Sequence, residues 1–129
     1  MSKPKVEIKN FDIETELSCR CCGLYNYDEE FLIRVQAYRY MLNRGMTVTS
    51  GGRCKKHNAD PSVGGEPNSC HECTTKKATA LDFTCNAMAL AYDLACKSGL
   101  FNEVIWYVKK NFIHLGLDRN QKGNYFIKK

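Results

Sequence analysis

The feature that most constrains this chain is the stretch from residue 51 to residue 77, rich in Gly, Pro, Asn, Ser, Cys and Lys, set between two short apolar segments. That composition is loop chemistry. A run of this length without regular structure is uncommon in a compact domain unless it carries function, so the rest of the chain has to supply a rigid frame around it. At 129 residues the chain has the length for a single domain, residues 1–129, with its own core.

The frame can be read from periodicity. Asp28 is placed to cap a helix from about Glu29 to Asn43, with Glu29 and Glu30 in the first turn where the helix dipole favours acids. Phe31, Leu32, Val35, Tyr38, Met41 and Leu42 recur at helical spacing as its inward stripe, and Gly45 stands where a C-terminal cap belongs. Met46–Ser50 reads as a short strand with alternating β-branched residues, and Ala80–Phe83 as another. A second helix is expected over Asn86–Lys97, with Met88, Leu90, Ala91, Leu94 and Ala95 inward and Gly99 ending it. Glu103–Val108 and Phe112–Asp118, flanking a Lys-Lys-Asn turn, form a hairpin. Val6–Leu17 has mixed strand and turn character. These elements predict an α+β fold, a small antiparallel sheet flanked by helices.

Charge and termini limit the partners. The net charge of +5 is spread over short clusters, Lys55-Lys56, Lys76-Lys77, Lys109-Lys110 and Lys128-Lys129, which read as solvated loops and ends. No nucleic-acid-binding motif accompanies them, so nucleic acid is not an expected partner. The amino terminus lacks an apolar run that could act as a signal peptide, and no segment approaches the ~18 apolar residues of a membrane span. Synthesis in the cytoplasm and no membrane association are the expectation; nothing in the sequence specifies an oligomeric state. Eight cysteines in that setting point to free thiols or metal ligation before disulfides. Cys19, Cys21 and Cys22 could share one metal with a distant group, and Cys70 and Cys73 flank His71 at finger-like spacing, so a second, structural zinc is a possible use of them.

The chemistry rests on three histidines, His57, His71 and His114, in a particular context: Thr49-Ser-Gly-Gly-Arg53, His57-Asn58, Val63-Gly-Gly65, Asn68-Ser69-Cys70-His71, Ala80-Leu-Asp82-Phe83, and a late strand bearing His114. This order of motifs resembles the zinc D-Ala-D-Ala carboxypeptidases, dipeptidases and related peptidoglycan endopeptidases, whose metal-site fold is shared with the hedgehog signalling domain. The amino-terminal Cys19-Arg-Cys-Cys-Gly23 looks like a shorter subset of them. The resemblance covers roughly Cys19 to Asp118. It implies Zn²⁺ held by His71, Asp82 and His114, with the fourth position left for water as in catalytic sites, and hydrolysis of a peptide bond in peptidoglycan peptides by that water. Arg53 would match the family's substrate-binding arginine, its planar fork suiting a peptide carbonyl or terminal carboxylate. Ser69 would match the serine that hydrogen-bonds substrate, and His57 a non-ligand position. Such an enzyme, made without an export signal, suits a phage-encoded lysin, a virion-borne wall enzyme or a cytoplasmic dipeptidase.

Two departures from the family pattern stand out. The interval from His71 to Asp82 is longer by four residues and lacks a usual Gly, as though Glu72–Lys77 held an insertion; a loop absorbs this at small entropic cost. The carboxylate expected to act as general base is not at its usual place. Three residues before His114 stands Asn111, six before stands Val108, and two after, where many short relatives have Asp, stands Gly116. Asp118 lies about 13 Å along the strand, and a tight hairpin puts Glu103 nearly opposite Asp118 and equally far away. Glu72, beside a ligand, is left as the candidate base. The alternative is a catalytically degenerate zinc-binding module of the same fold with a wall-peptide-binding or structural role.

Overall fold

The structure is a computed structural model that describes residues 17–19, 26–52, 70–73 and 76–129. Helix α1 (Glu29–Leu42) begins where the sequence places it: the Asp28 carboxylate accepts from the Phe31 N–H and caps the first turn. It ends earlier than Gly45. Asn43 takes the left-handed conformation at φ 53° and its N–H closes on the Arg39 carbonyl, a role Asn can fill because its short polar side chain tolerates that region. Strands β1 (Thr47–Ser50) and β2 (Ala80–Thr84) come next, then α2 (Met88–Ser98), β3 (Glu103–Tyr107), β4 (Phe112–Gly116) and β5 (Tyr125–Lys128).

The five strands form one sheet in the order β1-β2-β4-β3-β5. The first four pair antiparallel, as the sequence implies, whereas β5 lies parallel to β3 at the edge. This fifth strand is the one the sequence hides, because Phe126 and Ile127 are its only aliphatic or Phe residues and lysines come after them. Its end is not simply solvated: Lys128 sits 5.3 Å from the Tyr92 ring and 5.5 Å from that of Trp106, a cation–π arrangement.

Alternation divides the sheet's two faces. Leu81 and Phe83 of β2, Val104 of β3, and Ile113 and Leu115 of β4 are all fully buried and share one face by register. That face belongs to the hydrophobic core with Phe31, Val35 and Tyr38 of α1 and Ala91 and Ala95 of α2. Tyr38 meets Phe83 and Phe101 edge-on and donates its hydroxyl proton to the Ala91 carbonyl at 2.6 Å. The inward stripes are narrower than the apolar periodicity suggests, since Met41 and Leu90 are half exposed. The opposite face carries Asp82, Glu103, His114 and Gly116, so the core fixes the backbone on which these polar groups stand.

Candidate metal centre

Asp82 on β2 and His114 on β4 are direct cross-strand partners. Their side chains therefore emerge together from the middle of the sheet, and the Asp82 Oδ1 lies 3.0 Å from His114 Nδ1. His71 comes from the turn that precedes β2. Its placement depends on a set of backbone ties: Thr79 N–H donates to the Cys70 carbonyl at 2.8 Å, and Ala78 N–H to the Asn26 carbonyl. The Asn26 side-chain amide also donates to the carbonyls of Cys73 and Lys76. These contacts hold both flanks of the longer interval between His71 and Asp82, so the ligand spacing expected to be stretched closes all the same.

The His71 ring is fixed from behind. Its Nδ1 lies 2.8 Å from the Gly51 carbonyl, which can only accept, so in the neutral ring Nδ1 carries the proton and Nε2 presents its lone pair. Gly51 comes directly after β1, where the register shifts between Val48 and Ser50; such a bulge bends a strand and re-aims the residues beyond it.

His71 Nε2, Asp82 Oδ1 and His114 Nδ1 thus form a triangle with sides of 3.1, 3.0 and 3.2 Å. A tetrahedral zinc with bonds of about 2.0–2.1 Å needs ligand atoms about 3.3–3.4 Å apart, so the triangle is a slightly contracted face of that tetrahedron. Two imidazole nitrogens and one carboxylate oxygen are also the protein donor set of a catalytic zinc, which keeps its fourth position for water. All three residues are buried. Among the described residues this is the one group of His, Cys, Asp or Glu side chains that could hold a metal ion.

The electrostatics show the same preference for a cation. Burial opposes ionisation of Asp82, but the two imidazoles hold its carboxyl well below the usual carboxylate range. Burial likewise opposes charge on His114, yet hydrogen bonds to the carboxylates of Asp82 and Glu103 push it up to about 9. The hydrogen bond from His114 also lowers Glu103. A proton on His114 occupies the place that a metal ion would take, and metal binding would release it.

Glu103 is the residue the sequence misplaces. The three-residue Lys-Lys-Asn turn expected from the sequence would put it nearly opposite Asp118; the hairpin instead has a four-residue loop, Val108–Asn111, with Asn111 at φ 59° and its N–H on the Tyr107 carbonyl. Register therefore shifts by one, Glu103 pairs with Gly116, and its Oε1 hydrogen-bonds His114 Nε2. Asn at the last loop position, suited to the left-handed region, was the signal available. Asn111 itself is exposed in that loop and Val108 is half exposed.

Glu72 comes after His71 in the chain and is buried at 4 % exposure, but it does not belong to the metal-holding group. Arg53, Ser69 and His57, and Cys21, Cys22 and Cys54 of the thiol set, lie outside the described residues. Among the described cysteines, Cys70, Cys85 and Cys96 are free thiols of intermediate exposure, and Cys19 and Cys73 are buried. Cys73 lies in the hydrophobic core, with Cys85 and Cys96 packed against it.

No curated protein and no solved structure matches the chain. A family model, peptidase M15, matches residues 8–116. That span contains β1 through β4, the His71 turn and all three members of the buried triangle, and the family is zinc-dependent. The chain belongs to the peptidase M15 family.

Proposed function

We propose that this protein is a zinc metallopeptidase that hydrolyses a peptide bond in peptidoglycan stem or cross-link peptides, of the D-Ala-D-Ala carboxypeptidase or endopeptidase type. The observation that carries this reading is the convergence of His71 Nε2, from the turn before β2, with Asp82 Oδ1 and His114 Nδ1 of the sheet, all buried and within hydrogen-bonding distance of one another. A bound zinc supplies a Lewis acid for the scissile carbonyl and a water whose pKa falls to about 7.

The chain's own residues divide the remaining work. His71, Asp82 and His114 hold the ion. Arg53 binds the substrate's carbonyl or terminal carboxylate, and Ser69 donates a hydrogen bond to it. Glu72, next to His71 and screened from solvent, takes the proton from the attacking water and delivers it to the leaving amine. The test is incubation of purified protein with peptidoglycan fragments, read by mass spectrometry. Release of D-alanine or a cut cross-link is expected, lost in His71→Ala and in Glu72→Gln, with zinc retained only in the second. Cleavage surviving in His71→Ala would refute the zinc mechanism.

A second reading, a zinc-binding module that binds wall peptide without cutting it, is favoured by one observation. Asn111, at the position where relatives carry the base, is an exposed loop residue without a carboxylate. Zinc and peptide binding without any cleaved product would select it.

A further inference from the structure

We infer that Glu103 is a positioning residue for the metal centre: its carboxylate, admitted by the missing side chain of Gly116, fixes the His114 ring with Nδ1 toward the metal. This rests on the reading of His71, Asp82 and His114 as ligands.

Two independent features carry it. The first is the division of labour on the His114 ring. Its Nδ1 faces Asp82 Oδ1 and His71 Nε2 at 3.0 and 3.2 Å, and its Nε2 faces Glu103 Oε1. A carboxylate on Nε2 keeps the proton there and leaves the Nδ1 lone pair for a cation. His71 is held in the same manner by the Gly51 carbonyl, so each imidazole has its outer nitrogen engaged, one by a neutral acceptor and one by a charged one. Glu103 therefore stands behind the ring, on the side away from the metal-facing nitrogen, which suits orientation and not proton transfer to substrate.

The second feature is Gly116. It lies directly across from Glu103 in the sheet, in a backbone conformation that does not require glycine. What it supplies is space: a Cβ there would fall 2.7 Å from Glu103 Oε1, 3.1 Å from His114 Nε2 and 3.2 Å from Glu103 Cβ. Glycine inside a strand weakens it and marks a close approach, and the approach here is the Glu103 carboxylate crossing to His114.

The test is zinc affinity, measured by competition with a chromophoric chelator, for the unaltered protein and for Glu103→Ala, Glu103→Gln and His71→Ala. Loss of an outer partner of a metal-bound histidine costs about 10- to 100-fold in affinity; Glu103→Ala should show that loss. Glu103→Gln, which keeps an acceptor without the charge, should fall between it and the unaltered protein. Nitrogen NMR of the His114 ring in the zinc-loaded protein should show a protected Nε2 proton that Glu103→Ala exposes to exchange, a signal that a change in fold stability alone would not move. Unchanged affinity in Glu103→Ala, with His71→Ala unable to bind, would overturn the proposal and leave the metal centre standing. Zinc binding that is absent from the unaltered protein, or indifferent to His71→Ala, would overturn both.

Discussion

Substituting alanine for Gly116 should damage the centre from a position that contributes no side chain to it. The new methyl would sit 2.7 Å from Glu103 Oε1, well inside contact distance, and the carboxylate, at the end of a flexible side chain, is the group free to swing aside. Doing so breaks its bond to His114 Nε2. A hydrogen bond to a charged group contributes about 1.5–3 kcal/mol net, and because the Glu103 side chain keeps 20 % of its exposure the lower half of that range applies. Against it stands about 0.4–1 kcal/mol gained by stiffening the unfolded chain, since the backbone here accepts alanine. The expected net loss in the metal-free protein is about 1 kcal/mol, or roughly 3–5 °C in melting temperature for a domain of this size. Thermal melts in chelator of Gly116→Ala, Glu103→Ala and the double variant form a cycle. Once Glu103 is truncated, the 2.7 Å clash is gone and only the milder contacts with His114 Nε2 and the Cβ of residue 103, at 3.1 and 3.2 Å, remain, so Gly116→Ala should cost less in that background than on its own. Additive effects of the two substitutions would refute the steric argument.

The same structure sets further expectations. Phe83→Ala should destabilise by about 3–5 kcal/mol, as Phe83 is fully buried on the core face, whereas Tyr38→Phe should lose only the bond to Ala91, about 0.5–1.5 kcal/mol; urea titration separates them. Asp28→Ala should cost about 1 kcal/mol as a lost helix cap, while Asp28→Asn keeps the cap and loses only the half-exposed ion pair with Arg119, under about 1 kcal/mol. In chelator, the His114 contribution to stability is full below its unfolded pKa of about 6.5 and is lost as pH rises through about 9. The lowered Asp82 and Glu103 act oppositely, contributing above about pH 4 and losing it in acid. Melting temperature of the metal-free protein should thus peak near pH 5–6.5 and fall by pH 9.5; a flat alkaline limb would contradict the His114 assignment.

The elements were legible in the sequence where one residue decides locally. Asp28 announced the start of α1, and the spacing of Phe31, Leu32, Val35, Tyr38 and Leu42 its buried side. What the sequence could not supply was register. Asp82 and His114 lie 32 residues apart, and their pairing is set by the register of β2 on β4, while the place of Glu103 depends on the loop length of the β3–β4 hairpin. A hairpin loop read one residue too short moved Glu103 toward Asp118 and away from His114, which is why an outer partner of the centre looked remote. The parallel strand β5 was hidden for a related reason: its partner β3 is chosen by tertiary pairing, and the backbone ties through Asn102, which accepts from Tyr125 N–H and Gln121, have no local signature.

On this reading His71, Asp82 and His114 hold one zinc ion. Elemental mass spectrometry on protein purified under reducing conditions without chelator, beside His114→Ala, tests it most directly. One zinc per chain that disappears in His114→Ala is expected; zinc beyond that, surviving in the variant, would belong to the cysteines. No zinc in the unaltered protein, or a single zinc that persists without His114, would contradict it.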